Sequence, residues 1–253
     1  MEKINIEEIK NTIINGDCLE IMKLIEDKSV EVSFTSPPYN DTGNGIKDDE
    51  GKRKTNEHSK YLHSENRKDY FEWQCEVIDE MLRISKKLVL YNIQGIKNNR
   101  KALYKIIGKY SDQIHDIVIW HKPTCIPCGT PNKISNTYEM LLLLKPKGIN
   151  EVSVNSSFYK NVITSKSNIG NNFSNIHKAV MSKDFCYEVI KEFTKENDTV
   201  LDPFFGMGTT GVCCLEQKRN FIGIELVPRY VEEANKRIEE TKKLLQNEQT
   251  TLF

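Results

Sequence analysis

Thr199-Val200-Leu201-Asp202-Pro203-Phe204-Phe205-Gly206-Met207-Gly208-Thr209-Thr210, near the C-terminal end of a 253-residue chain, decides how the rest is read. Its β-branched, apolar start predicts a strand, Gly206 and Gly208 a tight turn, and the small and apolar stretch Gly211 to Leu215 a helix. A lone Gly-x-Gly says little. Between a strand and a helix it has a physical meaning, because glycines let backbone approach a ligand and the helix start offers free N–H groups. The next strand, Phe221-Ile222-Gly223-Ile224, ends on Glu225, placed to accept hydrogen bonds from ribose hydroxyls. Strand, turn, helix, strand and terminal acid together predict a nucleoside-cofactor pocket.

Such a unit ordinarily opens a parallel sheet, yet here it closes one. Working back to the N-terminus, Asn11 to Asp17 reads as a strand ending in a turn, Cys18 to Glu26 as a helix with Leu19, Met22 and Ile25 on one face, and Val30 to Phe34 as a buried strand. That strand runs into Thr35-Ser36-Pro37-Pro38-Tyr39-Asn40. Two consecutive prolines fix two φ angles and remove two donors, so the segment is a rigid strand exit. Ser36 offers a hydroxyl there and Tyr39 a flat aromatic face, which suits a planar group bearing an amine. The alternation continues with a helix over Tyr70 to Ile84, a strand at Leu88 to Tyr91, a helix over Asn98 to Tyr110, the strand Asp116 to Trp120 and the apolar run Met140 to Leu144. Helices over Lys183 to Lys195 and Pro228 to Lys243 complete it. Placing 199–243 ahead of residue 11 puts Asp202, Glu225, Asp17 and the proline motif at the C-terminal ends of four strands. The expected fold is α/β: a circularly permuted, Rossmann-like, doubly wound and mostly parallel sheet in one domain, 1–253.

Bulk properties narrow the function classes. No 18-residue apolar run and no charged leader with an apolar stretch is present, so a soluble, intracellular protein without a membrane partner is expected. Seven irregularly spaced cysteines suit reduced thiols. Cys125-x-x-Cys128 near His121 lacks a second close pair to complete four ligands, so no metal site is expected. The lone His177 reads as structural. Net charge is zero, but eight lysines face two acids, Glu139 and Glu151, between Lys122 and Lys183. Lys97, Arg100, Lys101, Lys105 and Lys109 form a second basic run. Each alone suits a solvated face; beside a nucleoside pocket they point toward nucleic acid. The polar stretch 41–68 is expected to be a flexible loop over the active edge, and 147–175, rich in Asn, Ser and Lys, an exposed insert.

Ser36-Pro37-Pro38-Tyr39 and Asp202-Pro203-Phe204-Phe205-Gly206-Met207-Gly208, in that order, resemble the two signatures of the amino-group DNA methyltransferases, in particular their β class. The resemblance covers nearly the whole chain, although the family's His-Pro pair before the late helix is His177-Lys178 here. It implies S-adenosylmethionine as cofactor and double-stranded DNA as partner. It gives the Phe204, Gly206, Gly208 and Thr209 turn to the cofactor's methionine portion along with Asp202, Glu225 to the ribose and Asp17 to the adenine. Ser36 and the Pro37 carbonyl would accept hydrogen bonds from the target amine while Tyr39, held by Pro38, stacks on a flipped-out base. Asn40, Lys147, Lys160 and Lys166 are the substrate-binding candidates, with 147–175 as target-recognition insert. Serine at position 36 favours cytosine N4, with adenine N6 the alternative. Methylation of RNA or of a glutamine side chain uses similar proline motifs with the opposite motif order, and a non-catalytic nucleoside- or DNA-binding module is a further reading. A homodimer and a cognate restriction nuclease are compatible partners.

Overall fold

Helices and strands alternate along most of the chain, in a computed structural model that describes residues 3–39, 69–96, 99–123, 134–166 and 180–251. In order they are α1 (Ile6–Ile9), β1 (Thr12–Asn15), α2 (Cys18–Leu24), β2 (Val30–Thr35), α3 (Tyr70–Ile84), β3 (Ser85–Ile93), α4 (Asn99–Lys109) and β4 (Ile114–His121). Then follow β5 (Tyr138–Leu144), β6 (Val162–Thr164), α5 (Lys183–Phe193), β7 (Thr199–Asp202), α6 (Thr209–Glu216), β8 (Asn220–Glu225) and α7 (Pro228–Thr251).

One eight-stranded sheet runs β1-β8-β7-β2-β3-β5-β4-β6. Neighbours are parallel throughout except at β5, which is antiparallel to β3 and β4. With β7 counted as the first strand and the numbering carried on from β8 to β1, the order reads 3-2-1-4-5-7-6 before the edge strand β6. The order reverses between β7 and β2, and in such sheets ligands sit in the crevice beyond the strand ends at that reversal. The chain's last strands therefore lie between its first two, as the permuted reading expects.

Alternating strand residues feed two cores. Tyr91, Val89, Leu201, Ile222 and Ile224 face α2, α3 and α4, whereas Val32, Phe34, Val200, Phe221 and Trp120 face α5, α6 and α7. Phe185 of α5 stacks on Trp120 with ring centroids 4.4 Å apart. The described cysteines, Cys18, Cys75, Cys186, Cys213 and Cys214, are thiols buried in these layers. Arg100, Lys101 and Lys105 lie on the exposed side of α4, so that part of the basic run is a helix's solvent face. Among the described residues no helix is long and apolar enough to cross a membrane.

The expected exposed insert is partly something else. Val152, Val154 and Tyr159 pack on the second core, and Asn155 donates to the Lys191 and Thr194 carbonyls at 2.6 and 2.7 Å, closing the end of α5. The reason is that α5 leaves its last carbonyls without helical partners. Its termination draws this stretch onto the body.

Phe205 locks the glycine turn to the sheet. Its ring stacks on Phe221 at 5.3 Å, and a Cβ at Gly223 or Gly211 would lie 2.5 or 2.6 Å from it. The ring fills a slot that exists because both positions lack side chains. Gly223→Ala is expected to cost about 1–3 kcal/mol by overpacking, read as a lower urea midpoint with an unchanged slope.

Candidate active site

At the reversal β2 and β7 run side by side, with Ser33 opposite Leu201. At the last residue of each strand, Thr35 Oγ1 donates to Asp202 Oδ1 at 2.7 Å. Thr210 Oγ1 donates to Oδ2 at 2.6 Å and the Phe204 amide to Oδ1 at 3.1 Å. Burial pushes the Asp202 carboxyl up, and these three hydrogen bonds pull against it. One carboxylate thus ties the end of β2, the turn and the start of α6.

The turn needs its glycines. Gly206 and Gly208 have φ of +51° and +76°, and Gly208 is the N-cap of α6. A Cβ at Gly208 would also meet Phe205 and Ala234 at 3.1 and 3.2 Å. The Gly206 amide donates to Glu225 Oε2 and the Val227 amide to Oε1, each at 2.8 Å. Burial raises the Glu225 carboxyl to about 7 despite those two donors. On the neighbouring strand β1, Asp17 caps α2 by accepting from the Leu19 and Glu20 amides at 2.9 and 3.4 Å. Acids therefore stand at the ends of three adjacent strands, with Thr209 buried at the first turn of α6. This edge fits a nucleoside cofactor: carboxylate oxygens for hydroxyl and amine donors, a backbone turn whose Gly206 Cβ position meets nothing closer than 4.0 Å, and an aromatic wall. That wall is Tyr70, Trp73 and Phe204, edge to face at 6.0 and 5.6 Å.

Beyond Thr35 the proline segment crosses toward β3. Pro37 is buried, and the Pro38 carbonyl accepts the Tyr70 hydroxyl at 2.9 Å. No donor among the described residues reaches the Pro37 carbonyl. Ser36 Oγ accepts from Asn92 Nδ2 at 3.3 Å. Tyr39 is half-buried, and burial, then the Glu139 charge, hold its phenol well above the usual range. Glu139 is itself buried, accepting from Asn92 Nδ2 at 2.6 Å and from Lys122 Nζ at 2.7 Å.

The structure brings Asp17, Ser36, Pro37, Pro38, Tyr39, Asp202, Phe204, Gly206, Gly208, Thr209 and Glu225 to one sheet edge. The lysines divide. Leu144, the last residue of antiparallel β5, pairs with Val89 and Ile114 at the other edge, so Lys147 leaves the sheet away from Ser36. Its expected place beside the substrate is corrected by the reversed direction of β5. Lys166 follows β6, which is parallel to β4, and emerges on the His121 side; Lys160 precedes that strand. Both are exposed. Asn40, the loop 41–68, Cys125, Cys128, His177 and 167–175 lie outside the described residues. Among the described residues no cluster suits a metal ion.

Sequence reasoning missed Thr35, Tyr70, Asn92, Lys122 and Glu139 as parts of the site. A signal existed for two of them. Asn92 follows the apolar strand Leu88 to Tyr91, and Glu139 is a rare acid in a basic stretch, directly ahead of an apolar run.

Comparison with known proteins agrees with this geometry. A family model described as DNA methylase matches residues 30–236. The type II methyltransferase M.HinfI of Haemophilus influenzae is 30% identical over 264 residues, covering 96% of this chain and 72% of that protein. M2.MboI of Moraxella bovis is 22% identical, covering 93% and 90%. In fold the chain is similar to the cytosine-N4-specific PvuII DNA methyltransferase, with a TM-score of 0.65 at 17% identity over 93% of this chain and 92% of that one. It is similar also to M1.HpyAVI, solved with SAM, with a TM-score of 0.63 at 22% identity over 89% and 98%. The chain belongs to the N6/N4 DNA methylase family, the S-adenosylmethionine-dependent amino-methyltransferases of DNA.

The Thr35 hydroxyl is the one side-chain donor that β2 lends to Asp202. Thr35→Val, nearly isosteric, is expected to lower stability by about 1–3 kcal/mol in urea unfolding, and Thr35→Ser to retain most of it.

Proposed function

We propose that this enzyme methylates the exocyclic amine of a base turned out of double-stranded DNA, cytosine N4 in preference and adenine N6 as the second reading. The observation that carries the proposal is the bond between Thr35 and Asp202, which holds an amine-binding segment beside a nucleoside-binding turn on adjacent strands. Serine at position 36 favours cytosine.

Each residue then has a task. Glu225 holds ribose hydroxyls, Asp17 approaches the adenine, and the 204–208 turn with Thr209 passes around the amino-acid end. Asp202, already accepting three protein hydrogen bonds, shapes that turn. When bound, S-adenosylmethionine supplies an electrophilic methyl on a positively charged sulfur. An exocyclic amine is a poor nucleophile because its lone pair is delocalised into the ring. Ser36 Oγ and the Pro37 carbonyl, accepting its two N–H groups, draw the nitrogen toward tetrahedral geometry and localise that pair. Tyr39 presents its ring to the base. Most of the rate comes from orientation and fixed dipoles. The nitrogen, cationic once methylated, then releases a proton.

Chain 1–253 acts as one methyltransferase domain under this reading, with 41–68 covering the site. Target contacts come from the 147–175 region on its Lys166 side, lysines to phosphates and Asn or Ser to base edges. Buried thiols suit work inside the cell, where a cognate restriction nuclease would share the sequence.

Incubation with methyl-labelled cofactor and mixed-sequence DNA should place label in N4-methylcytosine. Label in N6-methyladenine selects the second reading, and no label on any nucleoside refutes both. Ser36→Ala and Tyr39→Ala should cut transfer about 100-fold or more while leaving cofactor binding intact. Ribose hydroxyls donating to Glu225 need its ionised form. Since its folded carboxyl titrates near about 7, cofactor affinity should rise as pH increases through that value, and titration calorimetry should find the dependence gone in Glu225→Gln.

A further inference from the structure

Glu139 stands outside the two sequence signatures, yet it touches the clamp from two sides. It opens β5 next to the C-terminal ends of β3 and β4, because β5 is antiparallel to both; Glu139 pairs with Trp120, and Met140 with Ile93 and Ile119. An acid buried there, 6% exposed, is costly without a counter-charge and hydrogen bonds. Lys122 supplies the first at 2.7 Å, its own side chain 11% exposed and lying over the Trp120 ring.

The remaining capacity of the carboxylate goes to the clamp. Oε2 accepts from Asn92 Nδ2 at 2.6 Å, and the same amide nitrogen lies 3.3 Å from Ser36 Oγ. Because an ionised carboxylate only accepts, Glu139 dictates which end of the Asn92 amide faces it. That choice leaves Asn92 Oδ1 buried with no partner among the described residues. An unmade buried hydrogen bond is a local cost, so the orientation is imposed by the carboxylate and not by Asn92's own best fit. Its consequence is that an N–H, not a carbonyl, points at Ser36. One lone pair of Ser36 is thereby occupied and the other is left for a substrate. The Tyr39 phenol lies near enough to the same carboxylate to feel its charge.

We infer that Glu139, neutralised by Lys122, is a positioning residue that sets both halves of the amine clamp, Ser36 through Asn92 and the face of Tyr39 directly. It need not touch substrate or cofactor. The cofactor acids lie at the ends of β1, β8 and β7, whereas Glu139 lies at the end of β5, beyond β2 and β3. This inference rests on the proposed base methylation.

Single-turnover methyl transfer to DNA, cofactor affinity and thermal melting would test it in the full chain. Glu139→Gln should slow transfer about 100-fold, the scale of a misplaced reacting group, with cofactor affinity unchanged. Adding Tyr39→Phe to it should cost much less than Tyr39→Phe costs alone, since both remove one anchor. The paired variant Lys122→Met with Glu139→Gln removes the buried charges together and guards against loss of fold. It too should be slow while folded. A wild-type rate in either variant, full additivity with Tyr39→Phe, or loss of folding in both overturns the positioning role alone. Wild-type protein that labels no base overturns the proposed function, and this role with it.

Discussion

A buried carboxylate at the junction of two strands organises this protein. Asp202 ends β7, yet its partners come from β2, the glycine turn and α6, so elements distant in sequence are bound through one side chain. Burial works against its ionised form, and the three donors restore what water would have supplied. This junction is also where the strand order reverses, which leaves a crevice that no crossover fills. The same residue that would be costly in isolation therefore fastens the strand ends on both sides of that reversal.

Under the proposed function the site around that junction divides by strand. The nucleoside side is built from β1, β8 and β7, where Asp17 and Glu225 accept backbone N–H groups and Phe205 fills the space left by Gly211 and Gly223. The amine side is built from β2, β3 and β5, where the proline segment rests on Asn92 and Glu139. Backbone dominates the first and side chains the second. A backbone-built pocket depends on glycines and turns, which leave a mark in sequence. A side-chain network depends on strand register, which leaves almost none.

The antiparallel strand β5 joins these themes. Its reversal brings Glu139 to the active edge and sends Lys145 and Lys147 to the opposite one. Charged positions a few residues apart in the basic stretch thus have opposite fates. The Asn155 contacts with α5 show the same limit, since an Asn- and Ser-rich stretch reads as exposed until a helix end is found beside it.

Sequence alone determined the permuted α/β fold, the strand exits and the two motifs, because proline, glycine and alternating apolar residues constrain backbone locally whatever surrounds them. It sufficed to name Ser36, Tyr39, Asp202, Gly206 and Glu225. Only the tertiary structure decided that Thr35 is the link to Asp202, that Asn92, Lys122 and Glu139 stand behind the clamp, and that Lys147 faces away. Those facts follow from strand order and direction, which pair residues 17 to 167 positions apart, and no local pattern encodes them.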